Sequence, residues 1–429
     1  MKKKFFHLFA TATLLFFMTS LDAQNYLNKI TFQNDTFKNK VLGCVLGSAV
    51  GDALGRITER YWMYGQGYNS RVINNFKDFK QTDFINEVAL YTDDTQMARI
   101  VLETLLEKAV RKEQIKTEDQ NFYEKYYNHF LTQKNDGPHR LFPGWETAIH
   151  INPAQKNEII KLEITMTKIA IKFAEWVDDP DGGQSYYRAP GIGCISASKE
   201  IQKLINEHDE TNIPPKGIYR ANGWTRNIFP MKPLTEGGCG SVMRAYPFGL
   251  IFADNPQKAA AWSAAHSLLT HRTNMAKAAC AAMAAGVACC IGGANINYTL
   301  QEMENYAKQY DFETANMIKL AIEEGRKKLT DDKIKQYLTN LEGKLANQAI
   351  AAATFLLTCY PNDLLKVIEL AVNFYGDTDS VASMAGALVG ARVGVNVLFD
   401  QKNFNNWLNP LENRKELIQL ANQVVNMYR

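Results

Sequence analysis

The segment Gly43-Cys-Val-Leu-Gly47-Ser-Ala-Val-Gly51-Asp-Ala-Leu-Gly55 places a glycine at every fourth position. A second segment, Ala382-Ser-Met-Ala-Gly386-Ala-Leu-Val-Gly390-Ala-Arg-Val-Gly394, carries small residues at the same spacing. In a helix this spacing aligns them on one face, where missing side chains let another backbone approach closely. Glycine costs ~1 kcal/mol relative to alanine inside a helix, so two such stripes need a structural reason. We interpret them as tightly packed central helices that could contact each other; scattered loop glycines are the alternative.

Helical periodicity also dominates the rest of the chain, and alternating β-branched stretches are scarce. The sequence therefore predicts an all-α fold. Residues 130–240 are richer in Pro and Gly and look loop-rich, with one helix near 158–176. The predicted helical segments elsewhere are 96–110, 257–291 with a break near 270–274, 299–325, 344–359, 363–374 and 412–428.

The first residues have the pattern of a secretory signal peptide. Lys2 to Lys4 form a basic start, and an apolar run over 5–18 follows that is short for a membrane span. Leu21-Asp-Ala23 provides a small-residue exit, so we predict cleavage near Ala23 and export to the periplasm or the medium. An N-terminal membrane anchor is the alternative. The predicted organisation is a signal peptide over 1–23, a short lead over 24–37 and one domain over 38–429 with long surface loops.

Composition and charge exclude several other classes of protein. The chain is 46% hydrophobic and 22% charged, which is ordinary for a globular protein. The formal net charge is +3, and removing residues 1–23 removes three Lys and one Asp, which leaves about +1. This balance gives no reason to expect a nucleic-acid partner, and we expect no membrane span after signal cleavage. The seven cysteines follow no metal or disulfide spacing, so we interpret them as mainly buried thiols.

Two acidic motifs precede predicted helices, Tyr91-Thr-Asp-Asp-Thr-Gln-Met97 and Tyr375-Gly-Asp-Thr-Asp-Ser380. Thr and Asp are common helix caps, so each motif could be structural. Residues 330–332 repeat Thr-Asp-Asp before another helix, where Lys333 and Lys335 can neutralise the charge. There we expect a cap and nothing more.

The two functional candidates differ from that cap in charge balance. Asp377 and Asp379 have no Lys or Arg within five residues and stand between apolar segments. Uncompensated carboxylates beside a buried helix are costly unless a partner or a metal is present. Together with Asp93 and Asp94 they would form an oxygen donor set that suits Mg²⁺, Mn²⁺ or Ca²⁺ rather than Zn²⁺. Such a cluster could hold two cations.

Five motifs in order resemble the ADP-ribosylglycohydrolase family, which includes the dinitrogenase-reductase-activating glycohydrolase. The resemblance covers most of residues 40–400. It implies an all-α fold with a binuclear centre of two divalent cations, Mg²⁺ or Mn²⁺, at the base of an ADP-ribose cleft. The motifs are Gly47 to Gly55, Thr92-Asp-Asp-Thr95, Met243-Arg-Ala-Tyr-Pro247, Leu269-Thr-His271 and Gly376-Asp-Thr-Asp-Ser380.

The resemblance also implies roles for single residues. Glu59 matches the acid that some members use as general acid/base, with a solvated surface glutamate as the alternative. Asp377 is the second candidate for proton transfer. The positions that match metal ligands are Thr92, Asp93, Asp94, Asp377, Asp379 and Ser380.

A glycine-rich loop matches the family element that contacts the diphosphate and the distal ribose through backbone N–H groups. Cys239 stands where many members have Asn, and Tyr375 where many have Gly. His271 matches a substrate-lining histidine, with a helix-capping histidine as the alternative. Arg188-Ala-Pro-Gly191 also resembles a family element, while 178–183 resembles part of a calcium loop that we interpret as a solvated turn. The predicted substrate-binding residues are Gly237, Gly238, Cys239, Gly240, Ser241, Met243 and His271.

The reaction that the resemblance implies is hydrolysis of the C1″ glycosidic bond of an ADP-ribosyl group on a protein or a small molecule. One alternative is a hydrolase of another ribosylated metabolite that uses the same site. Others are a non-catalytic relative, as in the lens crystallin branch, and an immunity protein that binds a toxin. Retention of every matched ligand position argues against the non-catalytic branch.

Overall fold

The protein is described by a computed structural model that covers residues 35–63, 72–107, 153–207 and 237–428. The predicted signal peptide and most of the predicted lead, residues 1–34, lie outside the described residues. So do the segments 64–71, 108–152, 208–236 and residue 429. The signal peptide and the single-domain organisation therefore stay predictions.

Helices build the described part of the chain, and no β-sheet forms within these ranges. The prediction of an all-α fold is confirmed. The main helices are α1 (Asp35–Met63), α2 (Asp93–Glu107), α3 (Pro153–Trp176), α4 (Ile192–Glu207), α5 (Tyr246–Ile251), α6 (Pro256–Ser267), α7 (Asn274–Ile291), α8 (Ile296–Lys308), α9 (Phe312–Gly325), α10 (Asp331–Leu341), α11 (Ala346–Cys359), α12 (Leu364–Ala371), α13 (Thr378–Val393) and α14 (Arg414–Met427). Shorter turns of helix are Phe76–Asp78, Gln81–Asp83, Tyr186–Arg188, Cys239–Ser241, Asn396–Phe399, Gln401–Asn403 and Phe404–Leu408.

The described helices depart from the predicted ones at two places. The segment 299–325 is two helices, because the carboxylate of Asp311 accepts the N–H of Thr314 at 2.8 Å and starts α9 anew. The region 130–240 contains α4 in addition to the predicted helix near 158–176. The predicted break near 270–274 is confirmed, since α6 ends at Ser267 and Thr273 caps α7.

α1 and α13 lie against each other along the two glycine stripes. A Cβ atom built on Gly47 would lie 2.5 Å from the carbonyl oxygen of Gly386, and one built on Gly55 would lie 2.5 Å from the Cα of Asp379. Real Cβ atoms essentially never come this close to backbone, so glycine is required for this approach. The prediction of two tightly packed adjacent helices is confirmed. The contact also brings the end of α1 to the start of α13.

Among the described residues, two helices are long and apolar enough to cross a membrane, Asp35–Glu59 within α1 and Asn274–Ile291, which is α7. The most apolar window of each is 94% and 83% buried inside the protein, respectively. Both helices therefore have the burial expected of the core of a folded protein. α7 packs against α6, α8 and α5, so it forms the second centre of the core after the α1–α13 pair.

All seven cysteines lie in described ranges, and none forms a disulfide. Six are buried and Cys359 is partly buried, which confirms the prediction of mainly buried thiols. Burial raises the pKa of Cys280 to about 12, so this group is a thiol at neutral pH.

Candidate active site

Three carboxylates from the end of α1 and the start of α13 form the centre of the candidate site. One oxygen from each of Glu59, Asp377 and Asp379 lies within 4.8 Å of the other two. Both aspartates are buried and the glutamate is partly buried. Glu59 also shares a hydrogen bond with Asp379. The alternative of a solvated surface glutamate for Glu59 is therefore wrong.

The first acidic motif joins the same cluster from the start of α2. Asp93 and Asp94 are buried, and the charge of each interacts with Asp379 and with Asp52 of α1. Asp93 Oδ2 also accepts the N–H of Gly191 at 3.4 Å. The two acidic motifs, far apart in sequence, are thus one site, which is what a shared metal centre requires.

Burial and mutual repulsion raise the pKa of the carboxyl groups in this cluster. Burial is the largest cause in every case. Burial and then the charge of Asp377 raise the pKa of Asp379 to about 7. Burial and then the charge of Asp379 raise the pKa of Glu59, Asp93 and Asp94 well above their usual values. The cluster therefore resists holding its full negative charge unless positive charge is supplied.

Asp52 is a further acid of this cluster, and it was not predicted from the sequence as a site residue. It is fully buried on α1, and burial followed by the charge of Asp379 raises its pKa to about 6. Oδ1 accepts the N–H of Thr92 at 2.9 Å and its hydroxyl at 2.8 Å. Oδ2 accepts the N–H of Thr95 at 2.9 Å and its hydroxyl at 2.5 Å. Asp52 thus caps α2 from another helix, and the signal that could have revealed it is a lone acid within a stripe of small residues.

The residues present fit a divalent metal. Asp94 Oδ1 and Asp377 Oδ1 are buried and have no hydrogen-bond partner among the described residues. Unpaired buried carboxylate oxygens are costly and usually face a cation. The hydroxyl of Thr92 donates to Asp52 and accepts the N–H of Asp94 at 3.3 Å, so one of its two lone pairs is left for a further contact. Carboxylate and hydroxyl oxygens together suit hard cations.

The predicted phosphate loop, 237–241, reaches the cluster through Cys239. Its thiol donates to Asp377 Oδ2 at 3.0 Å and lies 3.5 Å from the Ser380 hydroxyl. The backbone N–H of Cys239 donates to the Lys344 carbonyl at 3.0 Å, because the neighbouring Gly238 pairs with Leu345 in an isolated β-bridge. That N–H is therefore occupied by another segment, and a phosphate would have to be bound by the other amides of the loop.

The remaining predicted loop side chain points into the core. The Ser241 hydroxyl lies 3.4 Å from Cys280 Sγ on α7 and is fully buried. Met243 is also buried, and its sulfur lies 4.0 Å from the Ser380 hydroxyl. Ser241 is thus positioned by α7, while Met243 contacts one of the predicted ligand residues.

His271 lies beside the same loop. A Cβ atom on Gly240 would lie 2.9 Å from His271 Cε1 and 3.2 Å from Nε2, so this ring edge faces the loop. The side-chain cap of α7 is Thr273, whose hydroxyl accepts the N–H of Ala276 at 3.1 Å. The structure therefore groups His271 with the predicted phosphate loop.

Arg188 supports the start of α2 from the outside. Its guanidinium is buried and forms ion pairs with Glu412 at 2.7 Å and Asp181 at 2.9 Å. It also donates to the carbonyl of Tyr91 at 2.7 Å, directly before the first acidic motif. Asp181 is thus the partner of an arginine, which agrees with the interpretation of 178–183 as a turn rather than a calcium loop.

The helix cap at residues 330–332 differs from the candidate site in how its charge is balanced. Asp331 begins α10 and pairs with Lys366 of α12 at 2.6 Å, while Asp332 is exposed. The cation that pairs with Asp331 is thus Lys366 of another helix, a partner that the expectation based on Lys333 and Lys335 did not include. The negative charge of residues 330–332 is therefore balanced by a cation from another helix. The same tripeptide at 92–94 instead adds negative charge to an acidic cluster.

Comparison with known proteins agrees with the fold. The family model for ADP-ribosylglycohydrolase matches residues 33–429. An uncharacterised protein of Archaeoglobus fulgidus is 22% identical over 268 residues, which cover 59% of this chain and 81% of that protein. A solved structure named ADP-ribosylglycohydrolase-related protein complex matches with a TM-score of 0.53 and 17% identity. The match covers 92% of this chain and 100% of that one, and at this identity it bears on the fold alone. By the extent of the family match, the chain belongs to the ADP-ribosylglycohydrolase family.

Proposed function

We propose that the protein hydrolyses the C1″ glycosidic bond of an ADP-ribosyl group carried by a protein or a small molecule. The observation that carries this proposal is the single cluster of buried acids with unpaired oxygens on Asp94 and Asp377. Membership of a family of glycohydrolases supports the reaction type. A non-catalytic relative would have no use for this cluster, and burying so many carboxylates without compensation costs stability.

Two divalent cations, Mg²⁺ or Mn²⁺, complete the proposed site. When bound, they would orient a water and the distal-ribose hydroxyls and would stabilise charge during bond cleavage. Asp52 holds the start of α2 in place for them, and Cys239 binds Oδ2 of Asp377 while leaving Oδ1 unpaired. The residues proposed to hold the cations are Thr92, Asp93, Asp94, Asp377, Asp379 and Ser380.

Glu59 is the proposed acid/base group. Its hydrogen bond with Asp379 means that at least one proton is shared between the two carboxyl groups. Glu59 can therefore deliver a proton to the leaving atom and take one from the attacking water. The negative charge of the surrounding carboxylates favours the oxocarbenium-like state of the ribose. Asp377 is the second candidate for proton transfer.

The test is release of ADP-ribose from defined arginine-linked and serine-linked substrates by the purified protein. We expect hydrolysis of at least one linkage, loss of that activity with a chelator, and its return with Mg²⁺ or Mn²⁺. Full turnover in a metal-free preparation contradicts the metal dependence. Inactivity on both linkages, with turnover of another ribosylated compound, favours the alternative substrate class.

Export is a separate proposal, supported by the basic start, the apolar run and the small-residue exit of residues 1–23. Mass spectrometry of the mature protein from its native cell should show a chain that begins at or near Gln24. An intact Met1 on cytoplasmic protein contradicts the proposal.

A further inference from the structure

Arg244 is a fully buried arginine whose hydrogen-bond partners, within the described ranges, are neutral groups. Its Nε donates to Nε2 of His266 at 2.9 Å, and its Nη2 donates to Oγ1 of Thr270. The guanidinium carbon lies 4.5 Å from the centre of the Phe173 ring. Nη1 of Arg244 donates to the sulfur atoms of Met97 at 3.1 Å and Cys194 at 3.4 Å. A buried cation normally has an acid partner, so an arginine with four neutral hydrogen-bond partners calls for an explanation.

The donors of Arg244 determine where protons lie on two histidines. A guanidinium only donates, so Thr270 Oγ1 accepts from Arg244 and is left with its own proton to donate. His271 Nδ1 lies 2.8 Å from that oxygen, and when it accepts the Thr270 proton, both that proton and the Nδ1 lone pair are satisfied. A neutral imidazole that accepts on Nδ1 carries its proton on Nε2. By the same reasoning His266, which accepts on Nε2, carries its proton on Nδ1.

Both rings are neutral at neutral pH. Burial, followed by the positive charge of Arg244, lowers the pKa of His271 to about 3. The same two causes lower the pKa of His266 well below its usual value. His271 is therefore a fixed hydrogen-bond donor in this site and is not available as an acid or base.

The donor edge of His271 faces the loop that reaches the acidic cluster. Cε1 and Nε2 are the ring atoms nearest to the position of a Cβ on Gly240, and the adjacent Cys239 contacts Asp377. The Cys239 amide donates to the Lys344 carbonyl, so the loop has one backbone N–H fewer to offer a ligand. A side-chain donor beside the loop can supply a hydrogen bond in its place. The positive charge of Arg244 also acts on His271.

We propose that Arg244 and Thr270 are positioning residues that hold His271 as its Nε2-protonated tautomer, so that this N–H donates to a phosphate oxygen of a nucleoside diphosphate group at the 237–241 loop. The identity of the ligand rests on the proposed function. The tautomer does not, since it is argued from the hydrogen bonds of Arg244 and Thr270.

The experiment is a nitrogen-15 long-range correlation spectrum of the histidine side chains in the full chain, with His266→Gln and His271→Gln variants for assignment. In the wild type we expect an unprotonated Nδ1 on His271 and an unprotonated Nε2 on His266. Thr270→Val keeps the shape but removes the relay, so the His271 pattern should change while the His266 pattern stays. Thr270→Ser should restore the wild-type pattern.

Binding of ADP-ribose, measured by calorimetry, supplies the second readout. Loss of one hydrogen bond to a charged group is worth ~1.5 kcal/mol or more, so Thr270→Val should weaken binding about tenfold. A wild-type His271 protonated on Nδ1 overturns the proposal, as does an unchanged His271 pattern in Thr270→Val. The wild-type spectrum decides the tautomer even if the valine variant does not fold. If the tautomers are as expected but the wild type binds no ADP-ribose, the relay stands and both the phosphate-donor role and the proposed function fall.

Discussion

Asp379→Asn and Asp94→Asn are each expected to abolish metal-dependent hydrolysis, whereas Asp332→Asn should leave it intact. The first two residues are buried in the acidic cluster, and the third is exposed at the start of α10. Charge stabilisation by a bound cation is worth several kcal/mol, and each ~1.4 kcal/mol is a factor of ten in rate. We therefore expect a loss of roughly a thousandfold for each site variant.

Asp379→Asn should also change the stability of the metal-free protein, and here we expect a gain rather than a loss. Burial and neighbouring charge oppose ionisation of Asp379, so a neutral amide of the same shape relieves repulsion at neutral pH. We expect metal-free Asp379→Asn to melt at a higher temperature than the metal-free wild type. Added Mg²⁺ or Mn²⁺ should raise the melting temperature of the wild type and of Asp332→Asn, with a much smaller rise for Asp379→Asn.

Turnover, metal content by elemental analysis and thermal melting together separate the possible outcomes. Equal loss of activity in Asp379→Asn, Asp94→Asn and Asp332→Asn means that the site is misplaced. A metal-free Asp379→Asn protein that melts below the wild type means that the carboxylate has a structural partner and the repulsion argument is wrong.

The central helix pair could be predicted from sequence because its cause is local and repeated. Glycine at every fourth position shows directly which face of a helix lacks side chains. Two such faces can pack closely together, and Gly47 contacts Gly386 in this way. The acidic site could be predicted in part for a similar reason, since the absence of nearby Lys or Arg around Asp377 is visible in the chain itself. Helices α6 and α7 could be predicted from their alanine content. The break between them could also be predicted, and it lies where Thr273 caps α7.

The parts that escaped prediction depend on partners distant in sequence. Asp52 accepts from Thr92 and Thr95, which lie on the next helix of the site, and nothing in its own segment reveals these bonds. The pairing of Arg188 with Glu412 joins residues more than two hundred positions apart. The amide of Cys239 is occupied because its loop pairs with the segment before α11. Each case is set by tertiary contact, which neither periodicity nor composition encodes.

Glu59→Gln is expected to lower kcat by ~10²–10⁴-fold, the usual contribution of a general acid or base. The close approach of Gly55 to Asp379 brings the next turn of α1 to the cluster, and Glu59 hydrogen-bonds with Asp379 there. Glutamine keeps the shape and can still donate a hydrogen bond to Asp379, but it cannot transfer a proton. Metal content and ADP-ribose affinity should therefore stay near the wild-type values while turnover falls.

Glu323→Gln is the matched control, because this exposed glutamate of α9 makes only a 4.0 Å pair with Lys319. It should keep wild-type turnover. Loss of metal in Glu59→Gln would place Glu59 in the coordination shell, which its position within 4.8 Å of Asp377 and Asp379 oxygens allows. Near-normal turnover would assign the proton transfer to Asp377, one of the two acids of the cluster with an unpaired oxygen. The three outcomes differ in two measured quantities, kcat and bound metal, so a single variant with its control distinguishes an acid/base role from a ligand role.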